Sequence, residues 1–297
     1  MWLVSSTREP LRPIREIGVL VNPDKPRIHE IVEAFAAVAE RRSFPVVLPE
    51  GVAPASRLPH RSEADLVRRA DAIVVFGGDG TLLYAARRVA PRGIPILGVD
   101  AGTLGFLTEA QPDELESLIP ALLAGQVQLS ERMNLAGAIE RDGRVIANLT
   151  ALNDVVIGRG LTRLARLETF VGSEHVGTYL CDGLILSTPT GSTAYSLSAG
   201  GPIVSPALRV LLAVPICPHT LTVRPLVVSE EDEIRVRIEK ITGDGLVTVD
   251  GQEKHALQEG DTVAVRCAPF VTRLVMTGRR PFYELLRRKF RWGEREG

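Results

Sequence analysis

Between Ile17 and Ala124, short apolar runs alternate with helical patterns, and this alternation constrains the fold more than any other feature of the chain. Strands are predicted at Ile17 to Val21, Val46 to Leu48, Ala72 to Phe76 and Ile94 to Val99. Ile31, Phe35 and Val38 recur at helical spacing, and further helices are expected at Glu63 to Ala70, Leu82 to Ala90 and Pro112 to Ala124. Strand–helix–strand repetition implies a parallel sheet covered on both faces, with ligands at the carboxyl ends of the strands. After Gly125 the pattern changes. Strands are expected at Leu135 to Glu140, Arg144 to Asn148, Asp154 to Gly158, Arg166 to Val171, Gly183 to Ser187, Ile234 to Ile238 and Leu246 to Val249. Turn signals such as Asp142-Gly143 and Val171-Gly172-Ser173 separate them, as in a mostly antiparallel domain. The basic tail from Pro281 to Trp292 carries Phe282, Leu285, Leu286 and Phe290 on one side, a stripe expected to pack back on a domain.

A chain of 297 residues can bury a sizeable core and suggests two domains. Its 35 basic and 36 acidic side chains leave a formal charge of -1, so no bulk field points to nucleic acid or to an anionic membrane. An anionic ligand must therefore be bound by local geometry. Cys181, Cys217 and Cys267 are odd in number and widely spaced, which fits neither a disulfide framework nor a zinc site; three buried thiols in a reducing cytoplasm are expected. The start, Met1 to Pro13, lacks the long apolar core of a signal peptide. The apolar run Val210 to Cys217 is broken by Pro215 and too short to span a bilayer.

Five segments could carry chemistry. The strand Ala72 to Phe76 ends in Gly77-Gly78-Asp79-Gly80-Thr81. Glycines there let the backbone approach a ligand, and N–H groups at the start of the next helix suit anionic oxygens. Asp79 would repel phosphate unless it does chemistry or faces a metal; otherwise it is a helix N-cap. The tetrapeptide alone is compatible with both. Gly98 to Leu107 is a second glycine-rich turn after a neighbouring strand, and the two turns together would floor a cleft. Asn153-Asp154 is either a turn or a pair able to bond sugar hydroxyls or an adenine edge. Ser187 to Ser198 crowds seven hydroxyls beside Pro189, Gly191 and Tyr195, a composition suited to ribose and phosphate contacts. Asp250-Gly251-Gln252 reads as a hairpin turn, and His219 as a structural hydrogen-bonder.

In this order, the segments resemble the NAD kinase family, from about Ile17 to about Phe270. Asn22 to Pro26 is similar to the family's first strand end, Gly77 to Thr81 to its glycine-aspartate signature, and Ser187 to Pro202 to its long hydroxyl-rich signature. The resemblance implies a two-domain kinase. Residues 1–128 would form an α/β domain with a Rossmann-like parallel sheet, 129–275 a β-rich NAD-binding domain, and 276–297 a helical tail on the first domain. It implies transfer of a phosphoryl group from ATP, or polyphosphate, to the adenosine ribose 2′-hydroxyl of NAD, with Mg²⁺ accompanying the donor. Asp79 would be the general base, and Gly77, Gly78 and Gly80 would offer N–H groups to phosphates. Asn153, Asp154 and Asp182 would hold the nucleosides. Thr193, Ala194, Tyr195 and Ser198 would line the cleft, with Asp250 and Gln252 at its rim and Arg163 as an additional contact. No protein metal site is expected, and the working form would be a cytoplasmic homodimer or homotetramer.

Leu180 stands where many members carry Arg or Lys, a position associated in the family with rejecting the reduced dinucleotide. Val223 replaces a small residue after His219 to Thr222. Two readings compete: a diacylglycerol or sphingoid kinase sharing the Gly-Gly-Asp-Gly turn, and a dinucleotide sensor without turnover. No exposed amphipathic stretch suits a lipid substrate, no GxxxxGK[ST] run is present, and no strand–GxGxxG–helix unit supports an oxidoreductase.

Overall fold

A computed structural model describes residues 13–25, 27–102, 105–159, 165–241 and 243–292. They fall into two compact units, one within Met1–Glu131 and Thr272–Gly297, the other within Arg132–Val271.

The first unit is built from β1 (Ile17–Val21), α1 (Ile28–Arg42), β2 (Val46–Pro49), β3 (His60–Arg61), α2 (Glu63–Arg69), β4 (Ala72–Gly77), α3 (Asp79–Val89), β5 (Ile96–Asp100) and α4 (Leu115–Leu123). Its strands run parallel in the order β5-β4-β1-β2-β3. Residue alternation explains the double covering. Ile17, Val19, Val74, Phe76, Leu97 and Val99 point into one core with Val32 and Phe35 of α1 and Ile119 of α4. The residues between them face the other way. There Gly18 leaves room for Leu66 and Ala70 at α2, and a Cβ on Gly98 would lie 2.7 Å from Leu82 of α3. The expected parallel sheet is present, and each expected helix and longer strand lies within a few residues of its predicted bounds; only the two-residue β3 had no sequence signal. After Thr272 the chain re-enters this unit, where Leu274 pairs with Ile96 and α5 (Phe282–Phe290) follows.

The second unit is a β-sandwich. One sheet has the order β10-β9-β14-β17, continued from β17 by β6 and β7: β6 (Gln128–Arg141), β7 (Arg144–Ala151), β9 (Ala165–Val171), β10 (Glu174–Cys181), β14 (Ile234–Ile241) and β17 (Thr262–Met276). The other has the order β13-β12-β11-β8-β15-β16: β8 (Asp154–Arg159), β11 (Gly183–Ser187), β12 (Val210–Ile216), β13 (Leu226–Ser229), β15 (Gly245–Val249) and β16 (Glu253–Leu257). Val155, Ile157, Leu184, Leu186, Val247 and Val249 of one sheet meet Leu167, Ile234, Val236, Val263 and Val265 of the other in a single core. At about 25 cal/mol per Å² of apolar surface, this is the main force holding the two layers together.

Three expectations need correction. Strands β10, β12, β13, β16 and β17 were not predicted. β10 is half-exposed and polar, while β12 contains Pro215 yet is largely buried and pairs with β11 through Leu184↔Pro215. Only Cys181 of the three thiols is buried; Cys217 is exposed and Cys267 half-buried. The glycine turn enters its helix earlier than expected, because α3 begins at Asp79 rather than near Leu82.

Candidate functional site

In the first unit, β4 and β5 are parallel neighbours, with Gly77 opposite Asp100. This register puts both glycine-rich turns at one end of the sheet. Ala101 N–H donates to the Gly77 carbonyl at 3.1 Å, and Asp100 accepts from Gly102 N–H at 2.9 Å, so the turns are knitted together. Gly77 is needed for packing, since a Cβ there would collide with the Thr81 hydroxyl. Gly78 is the N-cap of α3 and gives no side-chain cap. The exposed Lys25 ammonium lies 3.4 Å from where a Cβ on Gly78 would sit.

Asp79 is the first residue of α3, and its carboxylate does not cap that helix. It reaches across to the second turn, where Phe106 N–H donates to Oδ2 at 2.8 Å and Leu107 N–H to Oδ1 at 3.0 Å. A Cβ on Gly105 would collide with Oδ1, so only glycine leaves the carboxylate its place. A carboxylate offers about four lone-pair sites, and two N–H donors leave others able to take a proton. Asp79 is therefore an oriented, half-buried acceptor at the end of a parallel strand, where open α/β sheets bind ligands.

In the second unit, a cavity of about 670 Å³ opens on the outer face of the β8–β15 sheet. The pleat explains its lining: Asp154, Val156 and Gly158 of β8 and Leu246 and Thr248 of β15 face it, while Val155, Ile157, Val247 and Val249 face the core. Asp182, Ala194, Tyr195 and Lys254 complete the polar and aromatic wall. The volume suits a nucleotide-sized ligand.

A carboxylate organises its floor. Asp250 and Gly251 adopt φ of 49° and 67° in the β15–β16 hairpin turn. From there the Asp250 carboxylate accepts the N–H groups of Leu152, Asn153 and Asp154 at 3.1, 2.8 and 3.2 Å. In return, Asp250 N–H donates to the Asp154 carbonyl at 2.9 Å. Asp154 itself is only 4% exposed, and its carboxyl is pushed up to about 7, first by burial and then by the negative charge of Asp250. Asn153 Oδ1 is buried without a hydrogen-bond partner, an acceptor that a donor from a bound ligand would satisfy.

The hydroxyl-rich segment behaves differently from expectation. Ser187 and Thr188 donate to the carbonyls of Asn153 and Leu152, and Ser192 donates to those of Pro189 and Val204. Gly191 fits because a Cβ would collide with the Asn153 carbonyl. Ser187, Thr188 and Gly191 hold the 152–154 loop while Ser192 ties the segment to Val204, leaving Ala194 and Tyr195 as the segment's lining residues.

The cavity thus gathers Asn153, Asp154, Asp182, Ala194, Tyr195 and Asp250. Thr193 instead donates to the Thr190 carbonyl; Ser198 and Gln252 are exposed and outside the lining, and Arg163 lies outside the described residues. Sequence reasoning missed Lys254, Thr248 and Leu246, for which the strand pattern gave no ligand signal. Among the described residues no three His, Cys, Asp or Glu side chains cluster as metal ligands, and no helix is long and apolar enough to cross a membrane.

One parallel-sheet unit with a pinned aspartate and one sandwich unit with a nucleotide-sized cavity define a two-domain nucleotide-handling protein. Comparison with known proteins identifies the family. The model of the ATP-NAD kinase N-terminal domain matches residues 17–127, and that of the ATP-NAD kinase C-terminal domain matches 152–277. The chain is 45% identical to an NAD kinase of Heliobacterium modesticaldum over 279 residues, 93% of this chain and 99% of that one. It is 50% identical to an NAD kinase of Geobacter sulfurreducens over 232 residues, 78% of this chain and 82% of that one. Among solved structures, yeast NADH kinase complexed with NADH is similar at a TM-score of 0.86 and 28% identity, covering 96% of this chain and 91% of the other. An Archaeoglobus fulgidus NAD kinase in complex with ATP gives 0.72 and 25%, covering 91% and 98%. The chain belongs to the ATP-NAD kinase family.

Proposed function

We propose that this protein transfers the γ-phosphoryl group of ATP to the adenosine ribose 2′-hydroxyl of NAD, making NADP. The observation that carries the reading is the Asp79 carboxylate, fixed by two backbone N–H groups at a strand end in a chain of this family. A ribose hydroxyl is a poor nucleophile, and phosphoryl transfer depends on alignment and charge stabilisation rather than covalent catalysis. Asp79 accepts the hydroxyl proton as the oxygen attacks. The N-terminus of α3 and the glycine turn favour the anionic phosphates. In the second unit, Asn153 and Asp154 hold one nucleoside through Oδ1 and the buried carboxyl, Asp182 bonds a hydroxyl or carboxamide of the other, and Tyr195 packs against a ring. A divalent cation, Mg²⁺, bound with the phosphates of ATP would supply charge neutralisation to the transferring group. In this reading the working form is a cytoplasmic homodimer or homotetramer.

The test is direct. Purified protein given ATP, Mg²⁺ and NAD is expected to form NADP, read by an NADP-specific dehydrogenase. Polyphosphate replaces ATP in a parallel reaction to define the donor. Diacylglycerol and a sphingoid base replace NAD as acceptors that should remain unphosphorylated. NADP formation no faster than in a protein-free control would sink the assignment.

A further inference from the structure

We propose that the C-terminal segment from Thr277 to Phe290 is a brace that positions the Asp79 carboxylate, with Phe106 and Phe290 as its principal positioning residues. This rests on the reading of Asp79 as the base. The two N–H groups that hold Asp79 belong to Phe106 and Leu107, and the stretch containing them is stapled from behind by the end of the chain. The Phe106 ring packs against that of Phe290, with centroids 6.1 Å apart at 34°, and Lys289 Nζ lies 4.8 Å from the Phe106 centroid. Arg280 donates to the Thr108 carbonyl at 3.4 Å. Thr277 donates through both N–H and hydroxyl to the Glu109 carboxylate, at 3.2 and 3.1 Å, and Glu109 is buried. Phe106, which bears one donor, Thr108, which adjoins the other at Leu107, and Glu109 thus all lean on one short C-terminal stretch.

Physical reasons favour action through the loop backbone. A backbone N–H can be aimed only by fixing its peptide plane, and the neighbouring Gly105 supplies no side chain to do so. An aromatic pair and a cation on the same ring fix Phe106 on one face, while the Thr277–Glu109 bonds fix the other end. Asp79 is already crowded against Gly105, so a small displacement of the loop would tilt the carboxylate away from its aim.

The experiment measures initial rates and NAD binding for Phe290→Ala and Lys289→Met, alone and combined with Asp79→Asn. Phe290→Ala is expected to lower kcat by about tenfold to a hundredfold, the scale of an ångström-sized misplacement, with the Kd for NAD changed less than about twofold. Phe290→Tyr, which keeps the ring, should restore most of kcat. In the Asp79→Asn background, Phe290→Ala should cost almost nothing further, because its effect runs through that carboxylate. Should Phe290→Ala cost the same factor in both backgrounds, or lower only thermal stability with kcat per binding site unchanged, the brace is merely structural. Should Asp79→Asn itself turn over normally, the reading of the base fails instead. Lys289→Met leaves the packing stem in place and is expected to lower kcat about threefold with the fold intact; an unchanged kcat overturns the part assigned to Lys289.

Discussion

Asp79 and Asp154 each open an element, helix α3 and strand β8, yet the two units treat them in opposite ways. Asp79 is half-exposed, and each of its oxygens faces a backbone N–H. Asp154 is buried beside another carboxylate, and the local N–H groups, including its own, go to Asp250. The lesson is that backbone donors, more than residue type, decide the use of a carboxylate here. Where they are spent on the functional side chain it becomes an aimed acceptor. Where they are spent on a neighbour, the remaining carboxyl is left desolvated and titrates near neutrality.

The sharpest way to break that contrast is to neutralise Asp79. Asp79→Asn is expected to reduce kcat by about a thousandfold while NAD still binds, the usual range for loss of a positioned base. An amide also presents NH₂ to one of the two N–H donors, so part of the anchoring is lost with the charge. Steady-state kinetics with a direct binding measurement separate the two effects. Gly105→Ala leaves the carboxylate in place chemically but forces it from its seat. Its kcat should fall by about a hundredfold, with little change in NAD affinity; a wild-type kcat would show that the seat is not required.

How much of this was legible in the sequence differs between the units for a physical reason. The parallel sheet announced itself because both of its faces are covered, so β1, β4 and β5 are almost wholly apolar runs followed by amphipathic helices. The sandwich strands face solvent or a cavity on one side, and β10, with its Glu174-His175 start and Gly177, carries little apolar signal. β16 similarly shows one buried residue, Leu257. The candidate residues Asp79, Asn153, Asp154 and Asp250 stood out in the sequence, but their division of labour did not. That Asp250 holds the 152–154 backbone depends on a contact across about 97 residues, and that the hydroxyls of Ser187 and Thr188 hold the same loop depends on the register of β8 and β11. Neither is encoded by local spacing. The role of Phe106 was hidden for the same reason, since its partners Lys289 and Phe290 come from the far end of the chain.

Removing the charge of Asp250 tests the other half of the contrast at smaller cost. Asn tolerates the left-handed backbone that φ of 49° demands, so Asp250→Asn keeps the hairpin turn while giving three N–H groups a neutral and partly mismatched acceptor. A loss of about 2 kcal/mol in stability and about tenfold in NAD affinity is expected, read by denaturant melts and calorimetry. Asp250→Ala should lose roughly 1 kcal/mol more, because it adds backbone strain to the missing acceptor. An affinity for NAD unchanged in Asp250→Asn would mean that the 152–154 loop keeps its shape without the carboxylate.

Asp154 is expected to act on stability with little effect on kcat, and its pH dependence has a definite sign. Its folded-state pKa, about 7, lies above the ordinary 3.8, so the folded protein holds this proton more tightly than the unfolded chain. The associated stability is fully present below pH 3.8 and is lost progressively as pH rises through about 7. The whole swing is on the order of 4 kcal/mol, of which the last part falls between pH 6 and 8. Asp154→Asn removes the titration and should flatten this component, so the difference in unfolding free energy between variant and wild type should grow in favour of the variant from pH 5 to pH 8. Lys254 lines the same cavity and Asp250 supplies the repelling charge, so Asp250→Asn should shift the wild-type inflection to lower pH. A pH-independent difference would show that Asp154 is ionised throughout, and that burial beside Asp250 is relieved in solution by water entering the cavity.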